Sequence, residues 1–257
     1  MKKIISFNNL EITNDKTCFI VAEIGVNHNR DLSLAKKLVK EAAKCGANAV
    51  KFQTWKTDNI AVESVSMASY QRENLGCDMS QYEMLKELEL PYEWHNELKE
   101  LAEHEGMVFF STMEDRESVD FLLKDLKIPM IKVGSGDLTN YPLLKYTAKF
   151  GIPMILSTGM ASLGDIDKAI KIVQDAGNEQ IILLQCTTQY PAPYDSINLN
   201  AILTLKNAFN TLVGLSDHSE GVECSLAAIA LGAKYIEKHF TIDKRGFRKT
   251  PAFQNFV

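Results

Sequence analysis

The chain is expected to form an eight-stranded α/β barrel, and three features of its sequence indicate this fold. Eight short apolar segments recur, each typical of a buried parallel strand. Every segment except the last is followed by residues with helical spacing. A length of 257 residues suits one barrel and does not require two domains. Strict alternation implies a parallel sheet, and eight units favour a closed (β/α)₈ TIM barrel over a doubly wound sheet.

The N-terminal part of the chain contains the least regular elements. Residues 3–13 alternate and then turn at Asn14-Asp15, which predicts a short strand or hairpin before the barrel. The helix LSLAKKLVKEAAK is expected to start from a cap at Asp31 or Ser33 and to stop at Gly46. Strands are predicted at 18–24, 47–55, 107–112, 130–135, 153–158, 180–187, 212–216 and 234–240. Two helices are predicted at 80–90 and 93–105, and Pro91 separates them.

No helical pattern follows the eighth strand. Residues 244–257 are basic and aromatic, include Gly246 and Pro251, and lack helical spacing. The barrel is therefore predicted to lack its final helix, which leaves apolar surface between the first and last strands unless the tail or another chain covers it. The expected segments are an N-terminal strand or hairpin at 1–17, the barrel at 18–243 and an atypical tail at 244–257.

Composition excludes several classes of protein. The net charge of −5 gives no basic surface for nucleic acid, so an anionic ligand must be held by a local group of donors. The N-terminal lysines precede no apolar segment like that of a signal peptide, and no stretch approaches the ~20 apolar residues of a membrane span. Five scattered cysteines suit reduced thiols. A cytoplasmic location follows by elimination.

The strand ends carry the candidate chemistry, because the carboxyl ends of barrel strands converge on one face. His218 and His239 each end a short apolar segment, and two imidazoles brought together there can share one divalent cation. The alternative is that they are hydrogen-bonded polar residues at strand ends. Other polar residues at or just after the strand ends are Glu23, Lys51, Gln53, Thr112, Lys132, Ser135, Asp137, Ser157, Thr188, Tyr190, Ser216 and Glu237.

Lys51 and Lys132, among several hydroxyl groups, form a plausible cradle for a phosphate or carboxylate. The alternative is that both are paired structurally with Glu23 or Asp137 inside the barrel rim. Glu237 and Lys238 lie on opposite sides of their strand, so one of them is expected to face the outer helices. Among the other histidines, the sequence predicts surface positions for His95 and His104 and leaves His28 open.

Several segments resemble the sialic acid synthase family, which includes N-acetylneuraminate synthase, its phosphate-using relatives, and the legionaminate and pseudaminate synthases. The resemblance covers roughly residues 15–243, in order. The matching segments are AEIGVNHN (22–29), AVKFQTW (49–55), SQYEMLKELEL (80–90), KVGSGDLTNYPLL (132–144), ILSTGMASL (155–163), LLQCTTQYPAP (183–193), VGLSDHSEG (213–221) and IEKHFTID (236–243).

The resemblance implies a barrel that condenses phosphoenolpyruvate with an open-chain N-acetylmannosamine-type sugar, giving a nine-carbon 2-keto sugar acid and phosphate. It also implies a homodimer. By the family pattern, His218 and His239 would bind Mn²⁺ or Mg²⁺, and Glu23, Lys51 and Asp137 would be catalytic. The implied substrate-binding residues are Lys51, Gln53, Thr112, Lys132, Ser135, Ser157, Thr188, Tyr190 and Ser216.

Three departures from the family pattern stand out. Asp137 replaces a frequent Glu, Thr188 stands where some relatives carry Asn, and residues 244–257 resemble neither the Gly-Pro-Asp segment nor the C-terminal antifreeze-like domain. The chain is therefore expected to be a truncated synthase. Two alternatives stay open, namely a remnant with little or no turnover, and a class I aldolase that uses Lys132 or Lys51 as a Schiff base.

Overall fold

The structure is a computed structural model and describes residues 4–8, 10–63 and 80–242. It begins with an antiparallel hairpin of β1 (Ile4–Phe7) and β2 (Leu10–Thr13). The hairpin packs on the core through buried apolar side chains, and the Phe7 ring meets the Phe19 ring edge-on at 5.8 Å between centroids. The predicted N-terminal hairpin is confirmed.

Eight parallel strands follow, and they close into a barrel because the last strand pairs with the first. The predicted (β/α)₈ architecture is therefore confirmed. The strands are β3 (Phe19–Gly25), β4 (Ala49–Thr54), β5 (Val108–Met113), β6 (Ile131–Val133), β7 (Met154–Ser157), β8 (Ile181–Cys186), β9 (Leu212–Asp217) and β10 (Tyr235–His239).

Helices surround the barrel and start where the sequence carries capping residues. The Asp31 carboxylate accepts the backbone N–H groups of Ser33 and Leu34, so Asp31 is the cap of the first helix. Pro91 separates two helices as predicted, because its ring suits the residue just before a helix. The helices are α1 (Leu32–Lys44), α2 (Thr57–Ile60), α3 (Gln81–Leu88), α4 (Tyr92–His104), α5 (Arg116–Asp120), α6 (Tyr141–Ala148), α7 (Leu163–Asp175), α8 (Asn200–Phe209) and α9 (Glu223–Ala230).

Strand register places the candidate residues at a common level. Glu23 of β3 lies between Lys51 of β4 and His239 of β10. In the same way, Thr112 of β5 pairs with Lys132 of β6. Since side chains alternate along each strand, one shift of register would move these groups from the barrel interior to the helix layer.

An apolar groove lies outside β3 and β10, where the final helix of a complete barrel would pack. It measures about 400 Å³ and is bordered by α1 and α9. Ile20 is 37% exposed, Ile229 39% and Leu226 62%. Only residues 240–242 are described after β10, so the missing final helix stays a prediction. The predicted tail at 244–257 lies outside the described residues.

None of the helices in the described part of the chain is long and apolar enough to cross a membrane.

The predicted surface position of His95 is wrong, whereas His104 is exposed as predicted. His95 is fully buried between α4 and the barrel. Its Nδ1 lies 3.1 Å from the Pro91 carbonyl, which can only accept, so Nδ1 carries the hydrogen and Nε2 accepts from the Thr54 hydroxyl at 2.8 Å. His28, left open by the sequence, is also fully buried, and its Nδ1 accepts the Arg30 backbone N–H at 3.0 Å.

Because His95 and His28 are buried, we expect the free energy of unfolding to fall in mild acid. Burial lowers the pKa of His95 to about 4 and that of His28 to about 3. The unfolded chain, with ordinary histidine pKa values near 6.5, binds more protons below that pH, so stability falls as the pH drops from about 6.5 towards 4. We expect each histidine to cost about 2 kcal/mol of unfolding free energy at pH 5 relative to pH 7.5.

Urea unfolding at pH 7.5, 6.5, 5.5 and 5 measures this dependence. His95→Gln should reduce the slope of stability against pH, whereas the same change at exposed His104 should leave the slope unaltered. A slope in His95→Gln equal to that of the parent chain would show that His95 does not contribute.

Candidate active site

A cavity of about 370 Å³ opens at the carboxyl ends of the barrel strands. Every candidate site residue predicted from the sequence lines this cavity, except Asp137. These residues come from different strands and are far apart in the sequence. The predicted residues that line this first cavity are Glu23, Lys51, Gln53, Thr112, Lys132, Ser135, Ser157, Thr188, Tyr190, Ser216, His218 and His239.

Both candidate lysines are buried and paired with carboxylates. Lys51 Nζ lies 2.6 Å from Glu23 Oε2 and donates to Thr112 Oγ1 at 2.9 Å. Lys132 Nζ donates to Glu237 Oε1 at 2.8 Å, and both side chains are only 5% exposed. The structural pairing that the sequence left open is thus present, but Lys132 pairs with Glu237 and not with Asp137. Lys238 points to the other side of β10 and pairs with Asp217 at 3.0 Å.

Electrostatics keep the Lys132–Glu237 pair ionised. Burial alone would raise the pKa of Glu237. The positive charges of Lys132 and Lys51 outweigh the effect of burial and lower this pKa to about 2. Burial likewise opposes the charge of Lys132, yet the Glu237 carboxylate raises the pKa of Lys132. Lys132 is therefore held as an ammonium group, and it lines the cavity.

Hydroxyl and amide groups complete this anion cradle. Ser157 Oγ is buried and has no hydrogen-bond partner among the described residues, so a bound oxyanion would satisfy it. The Gly159 backbone N–H donates to Ser135 Oγ at 3.1 Å. A Cβ atom at Gly159 would lie 2.8 Å from Ser135 Oγ and 2.7 Å from Thr188 Cγ2, so only glycine permits this close approach.

His218 and His239 lie side by side, with ring centroids 5.6 Å apart. His218 Nδ1 donates to the Thr187 carbonyl at 2.7 Å, and its Nε2 lies 3.2 Å from Ser216 Oγ, which itself donates to Glu237 Oε1 at 2.8 Å. Burial opposes the charge of His218, but the neighbouring Cys186 and these contacts raise its pKa. Tyr190 stacks on His218 with centroids 4.1 Å apart.

The environment of His239 suits a metal ligand. Its Nδ1 is buried without a hydrogen-bond partner among the described residues. Burial, together with the His218 and Lys51 charges, lowers the pKa of His239 well below its usual value, so the ring is neutral. Neutral imidazoles bind divalent transition ions, and a carbonyl that fixes the other nitrogen, as at His218, is a frequent support for such ligands. No group of three His, Cys, Asp or Glu side chains arranged for a metal occurs in the described ranges.

Asp137 does not line the first cavity, but it forms a carboxyl pair with Glu114, which follows β5 and does line it. Burial, and after it the charge of Asp137, raises the pKa of Glu114 to about 8. The pair therefore shares one proton near neutral pH. Sequence analysis missed Glu114, since a single acidic residue between a strand and a helix resembles an ordinary cap. Cys186, which also lines the first cavity, was likewise missed as a site residue.

A closed parallel barrel that gathers two buried lysines and two imidazoles at its carboxyl face belongs to the class of α/β barrels whose functional sites lie at that face. Comparison with known protein families identifies the family. The NeuB family model matches residues 38–250, and the chain belongs to the NeuB family.

Individual relatives agree with this assignment. The N,N'-diacetyllegionaminic acid synthase of Campylobacter jejuni is 48% identical over 231 residues, which cover 89% of this chain and 69% of the relative. The human N-acetylneuraminate-9-phosphate synthase is 38% identical over 232 residues, covering 88% and 63%. The chain thus spans about two thirds of the length of these synthases.

A solved structure is also similar. The N-acetylneuraminic acid synthetase of Leptospira borgpetersenii, in complex with citrate, superposes with a TM-score of 0.84 at 34% identity, covering 99% of this chain and 85% of that chain.

Proposed function

We propose that the chain condenses phosphoenolpyruvate with an open-chain N-acetylmannosamine-type hexosamine and releases phosphate. The observation that carries this proposal is the buried cradle of Lys51, Lys132 and the unpartnered Ser157 hydroxyl beside the two imidazoles of His218 and His239. In a NeuB family chain, two ammonium groups with hydroxyl donors beside them suit a substrate that carries both a carboxylate and a phosphate.

The reaction is balanced without a further reactant. Phosphoenolpyruvate C3 forms a bond to the aldehyde carbon of the sugar, whose oxygen takes up a proton. Water adds at C2 and supplies the keto oxygen, and the bond between C2 and the bridging oxygen breaks to release inorganic phosphate. The product is a nine-carbon 2-keto sugar acid.

The protein's own groups have distinct roles in this proposal. Lys51, Lys132, Thr112 and Ser157 bind the phosphoenolpyruvate oxygens and stabilise the charge that develops where phosphate and carboxylate share one carbon. Ser135, which follows β6, and Ser216, on β9, hold the same anion. Further contacts, to the sugar or to water, are assigned to Glu23, Gln53, Thr188 and Tyr190.

The carboxyl pair of Asp137 and Glu114 suits proton exchange with the attacking water, because one member is protonated and the other ionised near neutral pH. His218 and His239 would hold Mn²⁺ or Mg²⁺, which when bound supplies Lewis-acid polarisation of the sugar carbonyl oxygen. Two imidazoles favour Mn²⁺, since Mg²⁺ prefers oxygen ligands.

The class I aldolase alternative is less well supported. A Schiff-base lysine must be a neutral amine to attack a carbonyl, but the Glu237 carboxylate raises the pKa of Lys132. Lys51 is likewise held within 2.6 Å of the Glu23 carboxylate. Homodimer formation and cytoplasmic location stay predictions.

Phosphate release tests the proposal directly. With phosphoenolpyruvate, N-acetylmannosamine and Mn²⁺, we expect phosphate release that depends on the sugar, together with a 2-keto sugar acid detected by mass spectrometry. Omitting the sugar is the control for simple hydrolysis. Covalent trapping of pyruvate by borohydride would support the aldolase instead, and absence of both turnover and phosphoenolpyruvate binding would support the remnant.

A further inference from the structure

The two imidazoles of the candidate site lie just beyond the paired part of their strands. In the register of β9 and β10, the last pair joins Asp217 to Lys238. His218 and His239 are the next residues along the two strands, so this pairing ends one residue before each ring. The spacing of the rings, 5.6 Å between centroids, therefore depends on other contacts.

The side chains of this last pair form an ion pair on the outer face of the sheet. Lys238 Nζ lies 3.0 Å from Asp217 Oδ2, and the two side chains are 11% and 0% exposed. Lys238 also borders the apolar groove outside β10. Because side chains alternate along a strand, the ion pair faces the helix layer while the two imidazoles face the barrel interior. The ion pair therefore joins the two strands directly behind the rings.

Ser219, the residue that follows His218, is held by both members of the ion pair. Asp217 Oδ1 accepts the Ser219 backbone N–H at 2.9 Å and the Ser219 hydroxyl at 2.6 Å. Lys238 Nζ donates to the Ser219 carbonyl at 2.7 Å. The Ser225 hydroxyl of α9 donates to Asp217 Oδ2 at 2.6 Å and so fixes the carboxylate itself. The position of His218 thus depends on this ion pair.

The position of His239 depends on a different strand. His239 pairs with Glu23 of β3, and the Phe240 backbone N–H donates to the Glu23 carbonyl at 2.8 Å. Asn27 Nδ2 donates to the Phe240 carbonyl, also at 2.8 Å. Since β3 holds His239 in this way, the ion pair behind the rings is the contact that sets their spacing.

Stability alone does not account for an ion pair of this kind. Taking two charges out of water costs about as much as their attraction returns, so a buried ion pair is often no more stabilising than apolar side chains of the same volume. Its geometry is nevertheless specific, because the Asp217 carboxylate accepts from four donor groups, on Ser219, Ser225 and Lys238. A fully satisfied polar network gives the strand ends one defined position.

We infer that the ion pair of Asp217 and Lys238 positions the imidazoles of His218 and His239 for a shared divalent cation. Both members of the ion pair are positioning residues, since they act through the segments that carry the rings. The inference rests on the proposed function, to which the cation belongs, but the hold on the rings is measurable with no metal added. Loss of a group that orients a ligand histidine typically lowers metal affinity by about 10–100-fold.

The variant Asp217→Asn tests the inference, because it removes the charge but keeps an oxygen that can accept from Ser219. Electron paramagnetic resonance of free Mn²⁺ on the full chain should show at least about tenfold lower affinity. Proton NMR without metal is the second measurement, since His218 Nδ1–H is bound to the Thr187 carbonyl at 2.7 Å. We expect its exchange with water to become at least about tenfold faster in the variant. An exchange rate equal to that of the parent chain would overturn the inference.

Glu89→Gln is the matched control for a general loss of stability. The buried Glu89 carboxylate pairs with Lys56 at 3.3 Å and accepts from Thr57, between the segments that follow α3 and β4. The control should lower the free energy of unfolding while the exchange of His218 Nδ1–H and the Mn²⁺ affinity stay unchanged. Equally fast exchange in Glu89→Gln and Asp217→Asn would show general loosening of the fold and overturn the inference.

A double variant decides the question if Asp217→Asn does not fold. Asp217→Asn with Lys238→Met removes both charges, so stability should return while Mn²⁺ affinity stays low. Parental Mn²⁺ affinity in this double variant would overturn the inference. Failure of the parent chain to bind Mn²⁺ would instead contradict the metal role in the proposed function, and the comparison of proton exchange would still decide the inference.

Discussion

Lys132→Met is expected to reduce phosphoenolpyruvate affinity at least about 100-fold and to destabilise the fold by roughly 3–5 kcal/mol, because the substitution leaves the buried Glu237 carboxylate without its partner. Glu237 is 4% exposed, and without Lys132 it still accepts hydrogen bonds from the Ser216 hydroxyl at 2.8 Å and the Tyr235 hydroxyl at 3.3 Å. Urea unfolding measures the stability, and isothermal titration with phosphoenolpyruvate measures the affinity.

A second variant separates the structural role of Lys132 from its binding role. Lys132→Met with Glu237→Gln removes both charges, so most of the lost stability should return while phosphoenolpyruvate binding stays weak. Lys171→Met is the matched surface control, because its pair with Asp167 is largely exposed and should change stability by less than about 1 kcal/mol. Recovery of full phosphoenolpyruvate affinity in the double variant would show that Lys132 serves only the structure.

The sequence predicts the barrel and the content of its carboxyl face well, because both depend on short-range patterns. Apolar segments and helical spacing are local, and closure of eight parallel strands brings their ends together without knowledge of any single contact. The grouping of Lys51, Thr112 and Lys132 follows from this geometry alone.

Pairings across the barrel are harder to predict. Lys132 and Glu237 are 105 residues apart in sequence, and their contact depends on the final register of β10. A signal was nevertheless available, since Glu237 lies two residues before His239 and so shares its face of the strand. From the sequence, the partners offered for the two lysines are Glu23 and Asp137, and Asp137 is close to Lys132 in the chain.

His95 shows how local polarity can mislead. Charged neighbours on α4 suggested an exposed position, but Leu98 and Ala102 follow at helical spacing and are both buried. His95, Leu98 and Ala102 share one face of the helix. A residue's spacing relative to apolar residues is therefore a better guide to its burial than the polarity of its immediate neighbours.

His239→Leu is expected to lower Mn²⁺ affinity at least about 100-fold without loss of stability. Stability is kept because Nδ1 of His239 is buried without a hydrogen bond among the described residues, and such a group lowers the free energy of unfolding by about 1–3 kcal/mol. Leucine has no polar atom at this position and so removes that cost. A histidine kept only for structure would show the opposite result, with lower stability and no effect on the metal. Electron paramagnetic resonance of free Mn²⁺ measures the affinity independently of turnover.

His218→Leu provides the contrast within the same site. It should also weaken Mn²⁺ binding, but at a cost in stability, because the Thr187 carbonyl loses the hydrogen bond that His218 Nδ1 donates at 2.7 Å. His104→Leu, on the exposed side of α4, should leave Mn²⁺ binding unchanged. Mn²⁺ binding by His239→Leu equal to that of the parent chain would exclude the shared-ion arrangement, because the two rings face the same cavity only 5.6 Å apart and a common ion requires both.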